Sequence, residues 1–222
     1  MNSVIGAILP SALGIALSPM VVIATVLSLA SHRSKANLAG FIVGWLAGIA
    51  AVVVAAALLA SIIPASAPEI TSITVGIVVI VLGGVLLLLA FGELRARTSG
   101  TSDALPDWTG TLGDVTLVQA FLLGLYQVAR NSKNLILAIA GGVIIGVSSL
   151  SIVPVIIVIA IFVVVALSTV LIVVIANLVA AQKTAGAIDG ARAWLVSHGS
   201  ALVASVLFIV GVSLVGQGIS VL

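Results

Sequence analysis

The sequence predicts an all-α integral membrane protein, with six transmembrane helices arranged as two inverted three-helix repeats. Three observations carry that prediction. First, 62% of the 222 residues are apolar and 6% are charged, with a mean hydropathy of +1.47, whereas a soluble domain is roughly 45–50% apolar and about 25% charged. Eight Lys and Arg and six Asp and Glu are too few to keep the exterior of such a globule wet, so most of the surface must face lipid. Second, apolar stretches recur that exceed the ~20 helical residues needed to cross a hydrocarbon core of about 30 Å. Runs such as Val52-Val53-Val54 and Leu86-Leu87-Leu88-Leu89 lack the period-two alternation of a membrane β-barrel. Third, the Lys and Arg residues between these stretches fall on alternate connections, as in a multi-span chain whose cytoplasmic loops retain positive charge.

The apolar stretches lie at roughly 4–30, 38–63, 70–92, 116–146, 152–180 and 195–220. Met-Asn-Ser-Val at the start lacks the basic region of a signal peptide, so the first stretch is expected to be a retained helix. It closes at His32-Arg33-Ser34-Lys35, and Pro64-Ala65-Ser66-Ala67-Pro68-Glu69 turns the chain between the second and third. The longest polar stretch, Glu93 to Asp114, contains Arg95, Arg97, Asp103, Asp107 and Trp108. A short turn near Ser148-Ser149 follows the fourth, and Gln182 to Trp194, with Lys183, Asp189 and Arg192, links the last two. The chain thus reads as a single membrane domain over 1–222, with a first repeat at 1–92, a central cytoplasmic loop at 93–114 and a second repeat at 115–222.

Arg33, Lys35, Arg95, Arg97, Lys183 and Arg192 occupy the first, third and fifth connections, while the second and fourth carry no Lys or Arg. This places both termini outside the cell (inner or plasma) membrane of a multi-pass protein. Three spans per half force the halves into opposite orientations, the layout of an inverted repeat. In each half the first span is expected to be interrupted, at Pro10 through Pro19 and at Gly124 through Asn134.

The second interruption carries the candidate site. Gln127, Arg130, Asn131, Ser132, Lys133 and Asn134 stand around the middle of an apolar segment, where polar groups are costly and mark function. Arg130 and Lys133 at spacing three share a face of a continuous helix; a break there would instead add the positive potential of a half-helix N-terminus. The bland alternative is a short basic loop between two helices, which leaves Val115 to Ala129 barely long enough to cross. Gly14, Ser18 and Pro19 occupy the equivalent place in the first half, although a proline kink alone is no function. The candidate substrate-binding residues are therefore Arg130, Lys133, Asn131, Asn134, Gln127, Ser18, Pro19 and Gly14.

The charges also exclude several classes. Glu69, Glu93, Asp103, Asp107, Asp114 and Asp189 all fall in loops or at span ends, so membrane-embedded oxygens for a divalent cation or a proton relay are not expected. The ligand expected is an anionic group, for which Arg provides bidentate contact and Lys a compact charge. A net charge of +2 is too small to suggest nucleic acid. Zero cysteines remove thiolate metal sites and a Cys nucleophile. No catalytic or nucleotide motif is present, so neither an enzyme nor a cofactor is expected. Gly40, Gly44 and Gly48 form a small-xxx-small pattern that suits packing inside the bundle and, secondarily, a homodimer. Ser11, Thr25 and Ser28 read as packing hydroxyls, and Asn177 as interhelical glue or a cap. Trp45 lies inside a span, whereas Trp194 suits the interface.

Six spans, Leu17-Ser18-Pro19 early in the first, and Asn131-Ser132-Lys133-Asn134-Leu135 opening an apolar run resemble the lysine exporter (LysE) superfamily. An Asn-Pro-Lys element is typical there, and Ser132 stands where its proline would be. Within that superfamily the chain is most similar to the mycobacterial GAP and Sap type proteins, which address peptidoglycolipids and sulfolipid to the cell surface. The resemblance implies export of a small molecule or a role in exporting an anionic cell-envelope glycolipid, beside a larger RND-type lipid transporter. Export of amino acids, whose carboxylate could meet Arg130 or Lys133, and a non-transporting scaffold of an export complex are the other readings.

Overall fold

The computed structural model describes residues 1–17, 35–61, 68–98, 115–148 and 150–222, and among these every regular element is helical. In chain order the helices are α1 (Asn2–Ala16), α2 (Lys35–Ser61), α3 (Pro68–Thr98), α4 (Leu117–Arg130), α5 (Ser132–Gly146) and α6 (Ile152–Val221). Ala36–Ser61, Gly76–Arg95, Ile152–Ile175 and Ala201–Ser220 are each long and apolar enough to cross a membrane, and α4 with α5 passes the same test as a pair bent by 79°. The chain is therefore a multi-pass helical membrane protein, and its described residues hold four such spans, or five when the bent pair counts as one.

Several sequence expectations shift. Pro10 does not interrupt the first helix: α1 runs unbroken to Ala16 and caps at Leu17. A proline is tolerated inside a membrane helix where water, polar side chains or local backbone adjustment re-satisfy the carbonyl it leaves free. Ser18 and Pro19 lie outside the described residues. Helix α3 continues to Thr98, so Glu93, expected at the start of a loop, is helical.

The connection expected at Gln182 to Trp194 is helical as well, within the 70-residue α6. It holds no proline, and Ala185, Ala187, Ala191 and Ala193 favour continuation of the helix. Yet α6 is not straight. A Cβ built on Gly141 would meet the ring of Phe162, and one on Gly14 would lie 2.9 Å from Leu137 and 3.2 Å from Val206. Leu137 and Gly141 are one turn apart on α5, whereas a straight helix would separate Phe162 from Val206 by about 66 Å. Helix α6 must therefore turn back between Phe162 and Val206, so that two of its stretches return to one bundle.

Glycines set how the helices meet, because lipid offers no hydrophobic drive between spans and association depends on close backbone approach. Side chains on Gly40 and Gly44 would strike the carbonyl oxygens of Leu117 and Phe121, one on Gly48 would strike Val128, and one on Gly124 would strike the backbone at Phe41 and Trp45. Beyond the bend, Gly142 abuts Val53 and Ala57, and Gly146 abuts Ala57 and Ala60. So α4 and α5 advance along α2 in one direction, from Gly40 to Ala60. A re-entrant hairpin would instead return α5 to the residues that α4 already touches, so these contacts fit the pair as one broken span. The Gly40, Gly44 and Gly48 face is filled by α4 and serves packing within the bundle.

A second glycine contact joins α3 to the end of α6. Cβ atoms on Gly76 and Gly218 would each come within 2.9 Å of the other's carbonyl oxygen, and those on Gly83 and Gly211 likewise. Between these seams lies one continuous core, with Ile8 and Ile15 of α1, Phe41, Trp45 and Ile49 of α2, Leu86 of α3, Leu137 and Ile145 of α5, and Phe162, Leu207 and Leu214 of α6 fully buried.

Candidate functional site

The site grows from the way α4 ends. Its start is tied down twice: Asn37 of α2 donates to the Val115 carbonyl at 2.7 Å, and Thr116 and Gln119 form a reciprocal capping box. Its end is Asn131, whose N–H still donates to the Gln127 carbonyl at 3.0 Å, but whose φ of −87° and ψ of 87° leave the helix. The same residue restarts the chain. Asn131 Oδ1 accepts the Asn134 N–H at 3.3 Å, and its carbonyl accepts the Leu135 N–H at 2.9 Å. A single asparagine therefore closes α4 and caps α5, which is why the break forms with Ser132 in place of a proline. The negative φ means that no glycine is required either.

Around this hinge the expected residues fall into different settings. Arg130 is exposed in the last turn of α4, where a cation complements the negative end of the helix dipole. Lys133, in the first turn of α5, is ion-paired with Glu93 of α3, their side chains 27% and 16% exposed. Asn134 is buried, and its Nδ2 has no hydrogen-bond partner. Gln127 is buried one turn before the break. Gly14 meets α5 at Leu137, one turn beyond Asn134, and acts as a close-packing point between α1, α5 and α6.

The ion pair alters the electrostatics expected from sequence. Lys133 is the basic residue best placed at the α5 N-terminus, and it already has a carboxylate. The group as a whole keeps a net charge of +1 from Arg130, Lys133 and Glu93. Added to this are the free N–H groups of the first turn of α5 and the unpartnered amide of Asn134. Such a donor-rich hinge can hold an oxyanion, provided that the anion competes with Glu93 for Lys133. The pairing also sets its depth: Glu93 lies in the last turn before the charged end of the Gly76–Arg95 stretch, so the Lys133 ammonium sits toward that end rather than at mid-depth.

Sequence reasoning did not single out Glu93, although an acid flanked by Phe91 and Leu94 in an apolar run is an available signal. Two further buried polar atoms lack partners, Ser11 Oγ on α1 and Trp45 Nε1 on α2. Buried orphan donors are uncommon in native structures and call for water or a ligand.

No curated protein and no solved structure matches the chain. The family described as "Sap, sulfolipid-1-addressing protein" matches residues 8–220, which take in the bent α4–α5 pair and the spans on either side of it. By that match over nearly its whole length, the chain belongs to the sulfolipid-1-addressing protein (Sap) family.

Proposed function

We propose that this protein takes part in exporting an anionic cell-envelope glycolipid, whose headgroup engages the hinge between α4 and α5. The observation that carries the reading is the break itself: a helix N-terminus opened inside an apolar span, with Arg130, Lys133 and the orphan Asn134 amide around it. Family membership supports the class of cargo. Glu93 gives the site a resting state, because the arriving headgroup takes Lys133 from its carboxylate and a departing one returns it.

The architecture proposed is six spans in two inverted repeats, with both termini outside the cell membrane. Support for the repeat comes from the α3–α6 seam. Gly76 pairs with Gly218 and Gly83 with Gly211; a shift of 135 residues carries Gly76 to Gly211 and Gly83 to Gly218. Exchanging the halves therefore maps one contact onto the other, as a two-fold axis in the membrane plane requires. With no nucleotide motif in the chain, the driving force is an ion gradient, the membrane potential or a larger RND-type lipid transporter working beside it.

The test is binding of anionic glycolipids, simple phospholipids and amino acids to the purified protein, comparing wild type with Arg130→Ala and Lys133→Ala. Selective glycolipid binding that falls in both variants supports the proposal. Amino-acid binding would point to a LysE-type solute exporter, and unchanged lipid binding in both folded variants would remove the hinge as the site.

A further inference from the structure

A pocket of about 440 Å³ opens between α2, α3 and α5, lined by Val52, Ala55, Ala56, Leu59, Ala60, Val78, Ile139 and Val143. Its volume falls within the roughly 300–1,000 Å³ typical of small-molecule sites, yet no polar side chain lines it. Two of its walls belong to stretches that cross the membrane by length and composition, Ala36–Ser61 and Gly76–Arg95. The medium that reaches it is hydrocarbon.

Its position relative to the hinge identifies an occupant. Helices α3 and α5 run antiparallel here: Glu93 pairs with Lys133 at one level, and Val78 lines the same pocket as Ile139 and Val143 at another. From Lys133 to Val143 is ten residues of α5, about 15 Å. That length equals half of a hydrocarbon core about 30 Å thick. Ser132, Leu135, Ile136, Ile139 and Val143 recur at helical spacing on one side of α5, and Leu135, Ile136 and Ile139 are only half-buried. An apolar track thus leads from the hinge to the pocket along a single helix. The alanines at 55, 56 and 60 leave the hollow into which it runs.

We infer that this pocket is an acyl-chain site: a lipid whose anionic headgroup rests at the α4–α5 hinge lays one tail along α5, with its distal part between Val52, Ala56, Val78 and Val143. The inference rests on the proposed headgroup site for its orientation, but the pocket and its lining stand without it. It gives the protein a way to tell a long-chain amphiphile from a soluble anion of the same charge, because only the former fills both ends.

The experiment is photo-crosslinking of the full chain in phosphatidylcholine nanodiscs, using phosphatidic acid with a diazirine in the distal part of one acyl chain and mapping adducts by mass spectrometry. Adducts concentrated at 52–60 and 139–143 are expected. They should drop at least several-fold in Ala55→Phe, which fills the hollow from an exposed position, and in Lys133→Gln, which frees the headgroup end. Adducts spread evenly over every lipid-facing helix in the wild type, or unchanged in Ala55→Phe, would overturn the acyl site. Pocket adducts that vanish in Ala55→Phe but persist in Lys133→Gln, and form equally with a phosphatidylcholine probe, would keep the acyl site while overturning the headgroup site.

Discussion

The Glu93–Lys133 pair makes a quantitative demand on the proposed mechanism. Two unit charges about 4 Å apart attract by about 4 kcal/mol at an effective dielectric constant near 20, before desolvation is subtracted. Fully exposed pairs contribute about 0.2–1 kcal/mol, and removing one partner of a fully buried pair costs about 3–5 kcal/mol. With side chains 16% and 27% exposed, this pair belongs between those limits, at a coupling of about 1–3 kcal/mol. A double-mutant cycle with Glu93→Gln, Lys133→Gln and the double variant, read by equilibrium unfolding in detergent, should return that coupling. The same number enters binding with opposite sign. If a headgroup must take Lys133 from Glu93, Glu93→Gln removes the competitor, and affinity for an anionic lipid should rise about tenfold for each 1.4 kcal/mol of coupling. Lys133→Gln should lower it. Coupling below about 0.5 kcal/mol, within the additivity of independent sites, would refute the pair as an energetic element, and weaker binding in Glu93→Gln would refute the competition.

Four other outcomes are expected. Ser132→Pro occupies the first position of α5, where proline fits, and should leave stability unchanged or raise it by about 0.4–1 kcal/mol in the same unfolding assay; loss of folding would show that the Ser132 N–H is needed. Asn131→Ala removes the acceptor for the Asn134 N–H and should cost about 0.5–2 kcal/mol in that assay. Gly44→Val pushes a side chain into the Phe121 carbonyl, whereas Gly6→Ala meets nothing within 4 Å; monodisperse yield in detergent should collapse for the first and hold for the second. A phosphatase fused after Leu222 should be active, and a fluorescent protein there dark, if the C-terminus faces outward.

How much of this could be read from the sequence depends on what lipid does to a pattern. Span existence is legible because it follows from length and composition: stretches placed near 38–63 and 70–92 became α2 at Lys35–Ser61 and α3 at Pro68–Thr98. Span faces are not. In a soluble helix the buried side announces itself as the apolar one, but Leu58, Leu59, Leu88 and Phe91 are apolar and exposed here, so hydropathy does not separate core from lipid. The glycines partly substitute for that missing signal. Gly40, Gly44 and Gly48 predicted a close contact, though only the fold names Leu117, Phe121 and Val128 as the other side. The break was legible as a polar cluster, but its residue was not, since Asn131 is chosen by a capping hydrogen bond rather than by the proline that the resemblance suggested.

The least legible feature is the one that most changes the chemistry. Glu93 and Lys133 are forty residues apart, and a reading that sorts charges by loop puts one at a boundary and the other at mid-span. Folding sets them together because α3 and α5 are antiparallel neighbours. Under the proposed function, a cation held by a carboxylate beside a helix N-terminus is an exchange site that an anion enters by displacement, and not the bare basic cluster that the fourth stretch displays by itself. The acid that the sequence leaves outside the membrane thus becomes, in the proposed mechanism, the group against which the arriving headgroup competes for Lys133.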